Sequence, residues 1–257
     1  MVFGICNLSV VPLRSEPSHR SEMVNQLLFA EFFEILEEQP DWIYIRMLEA
    51  DYEGWLQRGQ YALWTGEAPQ AAGNSYSVVD RSGAEAIFNH QTISLLPGTK
   101  IWNHISLQQM IPSDVPYSIS GTLRDPQVAD FVFEFPKLVD RYKGSPYLWG
   151  GRSPYGIDCS GLTQAIYAQF GVTLRRDAYQ QAEQGKIVDF VAEIQPGDLA
   201  FFDNEEGRIT HVGIMLDSDS IFHASALARI DKLDSEGIFN QMEGRYTHKL
   251  RIVKRIF

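Results

Sequence analysis

The chain has 257 residues, 44% of them hydrophobic and 21% charged, which excludes a disordered or fibrous protein and leaves room for two or three modest domains. Two cysteines, Cys6 and Cys159, are too few for a disulfide-stapled secreted scaffold. A net charge of −11 counts against nucleic-acid binding, which draws on a basic surplus.

No run of about 18 apolar residues is present, so no transmembrane helix is expected. The first thirteen residues are fairly apolar, but no basic residue precedes them, and Arg14 comes too late for the charged start of a signal peptide. The stretch reads as a first strand, and the expected location is the cytoplasm. An exported form already trimmed of its signal would read the same way.

Strands are expected at 4–10, 23–28, 32–37, 42–47 and 54–57, with Pro12, Pro17 and Pro40 as punctuation. That spacing predicts a small antiparallel barrel over residues 1–65. The run 27–38 also suits an amphipathic helix, but the Pro40–Asp41 break followed by Trp42, Tyr44 and Met47 favours a meander. A linker rich in Gly, Ala and Pro follows at 65–74. Residues 72–123 read as a second small β module, punctuated by Pro97, Gly98, Pro112 and Pro116.

The pattern changes near Asp125, and residues 125–257 form a third domain. A helix is expected at 131–142, started or interrupted by Pro136. A second is expected at 159–170, where Leu162, Ala165, Ile166 and Phe170 recur near the helical period. Asp158 can cap it and Gly171 can end it. A polar helix at 177–184 follows. Strands then come at 199–202, 211–216, 221–224, 228–233 and 250–256. Helices first and strands after make an α+β domain.

Within this domain Cys159 opens a helix, His211 opens a strand, and His223 lies in the next. His211 follows Cys159 by 52 residues and precedes His223 by 12. A hairpin centred on 217–219 brings the two histidines onto neighbouring antiparallel strands. A thiol of ordinary pKa, about 8.5, is mostly protonated at neutral pH. A helix N-terminus favours the thiolate, a histidine can take its proton, and a third polar group can hold that histidine's tautomer. The same residues have plainer readings: a lone Cys at a helix start is an ordinary small core residue, and a lone strand His is an ordinary structural one. Cys with two His also suits zinc, but no CxxC or HxxxH pair is present.

The stretch Pro146-Tyr-Leu-Trp-Gly-Gly-Arg-Ser-Pro-Tyr-Gly-Ile-Asp-Cys-Ser-Gly-Leu resembles the core motif of the NlpC/P60 cysteine peptidases. Gln195-Pro-Gly-Asp-Leu-Ala-Phe-Phe, His211-Val-Gly-Ile-Met and Ile221-Phe-His-Ala follow in the family's order. The resemblance spans about residues 125–257. It implies a papain-like α+β core and a triad in which Cys159 is the nucleophile, His211 the base and His223 the orienting residue. No metal or organic cofactor is implied. Tyr147 stands where similar enzymes aim a hydroxyl at the developing oxyanion; packing beside Trp149 is the plainer reading.

The N-terminal part loosely resembles bacterial SH3-like modules, in Gly4-Ile-Cys-Asn-Leu-Ser-Val-Val-Pro-Leu-Arg, Gln26-Leu-Leu-Phe-Ala-Glu and Tyr52-Glu-Gly-Trp-Leu. Two such all-β modules before this catalytic domain look like the γ-D-glutamyl-L-diamino acid endopeptidases. That likeness implies a cell-wall (murein) peptide with a free N-terminal L-Ala as substrate, cleaved in recycling, with no nucleic-acid or membrane partner. By the same likeness Asp158, Glu31 and Tyr52 serve the free amine, with Tyr61 competing for the place of Tyr52. Ser160 and Arg176 would serve the free α-carboxylate of the D-Glu unit. Ala178 stands where relatives often carry Ser or Thr, which puts that carboxylate pocket in doubt. A helix cap, a solvated charge and a packed aromatic are the plain readings of Asp158, Glu31 and Tyr52. Two other functions share these features: a thiol amidase or acyltransferase on another amide, and a wall-binding protein with an inactive hydrolase domain. Lysine against meso-diaminopimelate, and the oligomeric state, stay open.

Overall fold

A computed structural model describes residues 1–64, 76–88, 91–103 and 118–257. The linker expected at 65–74, Pro112 and Pro116 lie outside the described residues. The chain divides into two compact units, Met1–Pro126 and Gln127–Phe257. No described helix is long and apolar enough to cross a membrane.

The first unit is built of strands. They are β1 (Val2–Ile5), β2 (Val10–Arg14), β3 (Met23–Leu28), β4 (Phe32–Glu38), β5 (Trp42–Met47), β6 (Tyr52–Gln57) and β7 (Ala62–Trp64). They form one antiparallel sheet in the order β3-β2-β6-β5-β4-β1-β7. Alternation buries Val11, Leu13, Leu27, Phe33, Ile43, Ile45 and Leu56 in one cluster.

The run 27–38 is two strands and a turn, not a helix. Ala30 takes a left-handed φ of 65° there, which a helix does not accommodate. Tertiary hydrogen bonds hold it: its N–H donates to the Cys6 carbonyl at 2.8 Å, and Trp102 Nε1 donates to its carbonyl at 3.3 Å. The expected strand 4–10 is divided. The chain leaves the sheet after Ile5, where the Cys6 N–H turns to the Glu31 carbonyl at 3.0 Å.

Four further strands are β8 (Tyr76–Phe88), β9 (Gln91–Leu95), β10 (Lys100–Trp102) and β11 (Ser118–Arg124). The long β8 pairs with all three others. Their apolar residues Val79, Ala86, Leu95 and Trp102 share a core with Ile5 and Phe32 of the first sheet and with Phe29 in the turn between β3 and β4. Residues 1–126 are thus two sheets on common apolar contacts.

The second unit begins with α1 (Phe131–Tyr142). Phe131, Phe135, Leu138, Val139 and Tyr142 fall on one buried stripe. The helix runs through Pro136, and the carbonyl this leaves without its helical donor belongs to the exposed Val132. The hairpin β12 (Arg152–Ser153) and β13 (Gly156–Ile157) leads into α2 (Cys159–Ala168). Then comes α3 (Ala178–Gln181), shorter than expected, with Asp177 and Gln180 closing a capping box.

The remaining strands are β14 (Lys186–Ile187), β15 (Leu199–Asp203), β16 (Ile209–Met215), β17 (Ser220–Ser225), β18 (Leu227–Leu233), β19 (Gly237–Asn240) and β20 (Arg245–Arg255). Their order is β14-β20-β15-β16-β17-β18-β19, and β19 also pairs with β20. Strands β15 to β20 therefore close into a barrel. Ala200, Phe202, Met215, Ile221, Leu233, Ile238 and Val253 pack together within it. The opposite face carries Leu199, Phe201, Val212, Ile214 and Phe222, covered by Leu138, Leu162 and Ile166 of α1 and α2. This closure calls on β19 and on the polar first half of β20, neither of which the sequence pattern marks as strand.

Candidate active site

Cys159 is the first residue of α2, and Asp158 is its N-cap in extended conformation. The Gly161 N–H donates to Asp158 Oδ1 at 2.7 Å, satisfying one of the helix's orphan donors. Gly161 is required at this start: a Cβ there would fall 2.1 Å from the Gly151 carbonyl oxygen. The helix packs on β16, and the Cys159 thiol lies against the backbone of Val212, the neighbour of His211. Burial, and then the Asp158 carboxylate, push the thiol pKa up to about 12, against the opposing pull of the Val212 backbone and Arg176.

His211 and His223 meet as the hairpin requires. His211 Nε2 and His223 Nδ1 are 2.9 Å apart, and both rings are buried. His223 stands opposite Gly213 in the β16–β17 register. A Cβ at Gly213 would come within 2.8 Å of the His223 Cβ, so glycine there gives the ring its place. Burial first, and then His223 and His248, hold the His211 pKa well below the ordinary histidine value. The lowering favours the neutral ring.

The chain of contacts continues past the three residues that the motif marks. His223 Nε2 lies 2.9 Å from Asp231 Oδ2 on β18. Arg229 Nη2 donates to Asp231 Oδ1 at 2.8 Å, and its Nε pairs with Oδ2 at 2.7 Å. Arg229 also donates to Asn240 Oδ1 at 3.1 Å. His248, from β20, stacks on His211 with ring centroids 4.1 Å apart and planes 26° apart. Burial, then His223, lower its pKa to about 4. Sequence reasoning missed Asp231, Arg229, Asn240 and His248. One signal was available for Asp231: an acidic residue alternating with the buried Leu233, on a strand facing His223.

Tyr147 is half-buried. Its N–H donates to the Ala226 carbonyl at 3.0 Å, and it bridges Ile157, two residues before the cysteine. Burial, followed by the fields of Cys159 and Asp158, raises the pKa of its phenol, which stays protonated as a donor.

Asp158, Ser160 and Arg176 are joined to one another. Arg176 Nη1 donates to Asp158 Oδ1 at 3.1 Å and to Ser160 Oγ at 2.8 Å, while Nη2 donates to Asp158 Oδ2. Asp158 also accepts from Gly150 N at 2.8 Å and from Ser160 Oγ at 3.2 Å. The carboxylate that the resemblance gives to a substrate amine thus already holds five donors, more than its four lone-pair sites accept singly. Ala178 is buried in the core beside α2. Among the described residues no group of three or more His, Cys, Asp or Glu is arranged to hold a metal ion.

Glu31 and Tyr52 belong to the first unit. Glu31 Oε2 accepts from the Leu28 N–H at 2.9 Å. Tyr52 packs on the Val11–Leu13–Leu56 cluster, as does Tyr61, which meets Phe33 edge to face.

Residues 144–252 match the NlpC/P60 family, and residues 13–60 match the bacterial dipeptidyl-peptidase Sh3 domain. The "Dipeptidyl-peptidase 6" of Lysinibacillus sphaericus is 31% identical over 238 residues, covering 83% of this chain and 84% of its own. The chain belongs to the NlpC/P60 family. It is a hydrolase, a peptidase with an SH3-like N-terminal region. The "Gamma-D-glutamyl-L-lysine dipeptidyl-peptidase" of Bacillus cereus is 24% identical over 256 residues, covering 88% of this chain and 75% of its own. A crystal structure of an NlpC/P60 family protein from Bacillus cereus superposes with a TM-score of 0.76 at 19% identity, covering 99% of both chains. That superposition supports the fold, a strand-built N-terminal region followed by an α+β NlpC/P60 domain.

Proposed function

We propose that this NlpC/P60 peptidase hydrolyses the bond between γ-D-Glu and the diamino acid in short murein peptides with a free N-terminal L-Ala. The observation that carries the reading is the 2.9 Å contact between His211 and His223, beside a helix that begins at Cys159. The name of the Bacillus cereus relative supports the bond, and the Sh3-type region supports the dipeptide limit.

In the proposed reaction His211 takes the thiol proton of Cys159, and the sulfur attacks the γ-carbonyl carbon. Charge gathers on the carbonyl oxygen, facing the Cys159 N–H and the Tyr147 hydroxyl. The bond to the amine breaks as His211 returns the proton to that nitrogen. A thioester remains. Water, deprotonated by His211, attacks it, and L-Ala-D-Glu leaves with its acid group restored. Raised as it is, the Cys159 pKa makes this a transfer within a neutral pair, completed only as substrate is attacked. Asp158, Ser160 and Arg176 hold the helix start in place. Recognition of the free amine by Glu31 and Tyr52 is part of the proposal, as is a cytoplasmic recycling role. The net charge of −11 suits small peptides better than an anionic wall polymer.

The test is incubation with L-Ala-γ-D-Glu-L-Lys, following free lysine. No release by folded protein would overturn the reading. N-acetylation of the L-Ala should stop cleavage; an unchanged rate would remove the free-amine requirement.

A further inference from the structure

Asp231 is a buried carboxylate outside the motif, and it ends a hydrogen-bonded line from His211 through His223. Its position has a consequence for protons. Paired with Arg229 at both oxygens, the carboxylate is an acceptor only, so the nitrogen that faces it, His223 Nε2, carries hydrogen. In a neutral His223 the other nitrogen, Nδ1, is then a bare acceptor. His211 Nε2 lies 2.9 Å from it and must donate. That leaves Nδ1 of His211 as its lone-pair nitrogen. Each assignment follows from the one before, and the first is made by Asp231.

We infer that Asp231 is the positioning residue that sets the tautomers of both histidines, making Nδ1 the basic nitrogen of His211. The inference rests on the reading of Cys159 and His211 as nucleophile and base. When His211 takes a proton, the His223 dipole already points its acceptor at the new charge, and the Asp231 anion lies behind it. Arg229 pairs with Asp231 and bonds Asn240, which Glu243 holds through a 2.9 Å contact, so the carboxylate cannot turn. His248 on β20 covers the His211 ring and adds no competing charge, its pKa being lowered to about 4.

The arrangement predicts an unusual order among variants. In Asp231→Asn, Arg229 Nη2, whose hydrogen bond goes to the Oδ1 position, claims the amide oxygen there, and Arg229 Nε, which lies near Oδ2 without a hydrogen bond, gives way to the amide N–H. The amide N–H then faces His223 Nε2. That reverses both tautomers and puts a hydrogen on His211 Nδ1, where the base should be. Asp231→Ala leaves the choice open. Asn should therefore be worse than Ala, and Arg229→Leu in the Asp231→Asn background should recover most of the loss by freeing the amide to turn.

The experiment is the rate of Cys159 alkylation by iodoacetamide across pH, which needs no peptide substrate. Failure to cleave murein peptides would thus leave this test standing. The expected result for Asp231→Asn is a fall on the order of 100-fold near neutral pH, as for a reversed tautomer in a serine triad at one further remove, with a smaller fall for Asp231→Ala. Asn within about twofold of the parent, or Ala slower than Asn, would overturn the inference. A second readout uses the parent protein alone and so survives misfolded variants: nitrogen-15 shifts of the imidazoles. His223 should show a protonated Nε2 and a bare Nδ1, and the opposite pattern would also overturn it.

Discussion

Two buried polar clusters lie in the C-terminal unit. In one, Arg176 and Asp158 neutralise each other around Ser160, and the carboxylate takes five donors. In the other, Asp231, His223 and His211 form a line with Arg229 at its anionic end. Arg176 and His223 are equally hidden, at 1% exposure each. Burial alone therefore does not separate scaffold from reagent. What separates them is completion. The closed cluster fixes the start of α2, with five donors on one carboxylate. The line of imidazoles ends on a nitrogen that can still change its proton.

Four substitutions probe that contrast. Cys159→Ala should abolish peptide cleavage, by about 10⁴-fold or more, with the unfolding midpoint little changed. A residual rate near that of the parent would show the sulfur to be only a core atom. Arg176→Leu should act on stability instead, removing about 3–5 kcal/mol in chemical denaturation because it strands a buried carboxylate. If that variant stayed as stable as the parent and lost only turnover, the two clusters would not differ in kind. His223→Ala should lower kcat on the order of 10²–10³-fold, less than loss of the nucleophile, since an orienting group is partly dispensable. Equal losses for Cys159→Ala and His223→Ala would give His223 more than an orienting role.

The smallest effect concerns His248. Its pKa is lowered to about 4 from an ordinary 6.5, so below 6.5 the unfolded chain takes up a proton that the folded chain refuses. The stability tied to it is whole above pH 6.5 and drains away as the pH falls toward about 4. Midpoints measured at pH 7 and pH 5 should differ less in His248→Phe than in the parent. A wider difference in the variant would reverse the sign. His211, lowered by the same burial, should keep its basic form below the ordinary histidine range and carry the acid limb of the activity profile with it.

Much of the second unit was legible from short stretches of chain. Asp158 capping Cys159, the histidine hairpin around 217–219 and the apolar stripe of α1 each depend on residues a few positions apart, where turn and capping preferences act directly. The same local rules found most of the first sheet and favoured a meander over a helix at 27–38, but not the turn at Ala30, which is held by Cys6 and Trp102 from elsewhere in the chain. The family motifs likewise marked Cys159, His211 and His223, which recur at fixed spacing along the sequence.

Tertiary structure decided what those residues touch. Asp231 reaches His223 because β17 and β18 pair in one register, and His248 reaches His211 because β19 and β20 close the barrel. Arg176 finds Asp158 from 18 positions away. No propensity or spacing rule carries a polar side chain to a partner across a closing sheet; that choice belongs to the packing that closes it. The sequence by itself determined the family, much of the order of the elements and the candidate trio Cys159, His211 and His223. The partners of His211 and His223 and the frame of α2 were settled only when buried donors and acceptors, cut off from water, had to find one another.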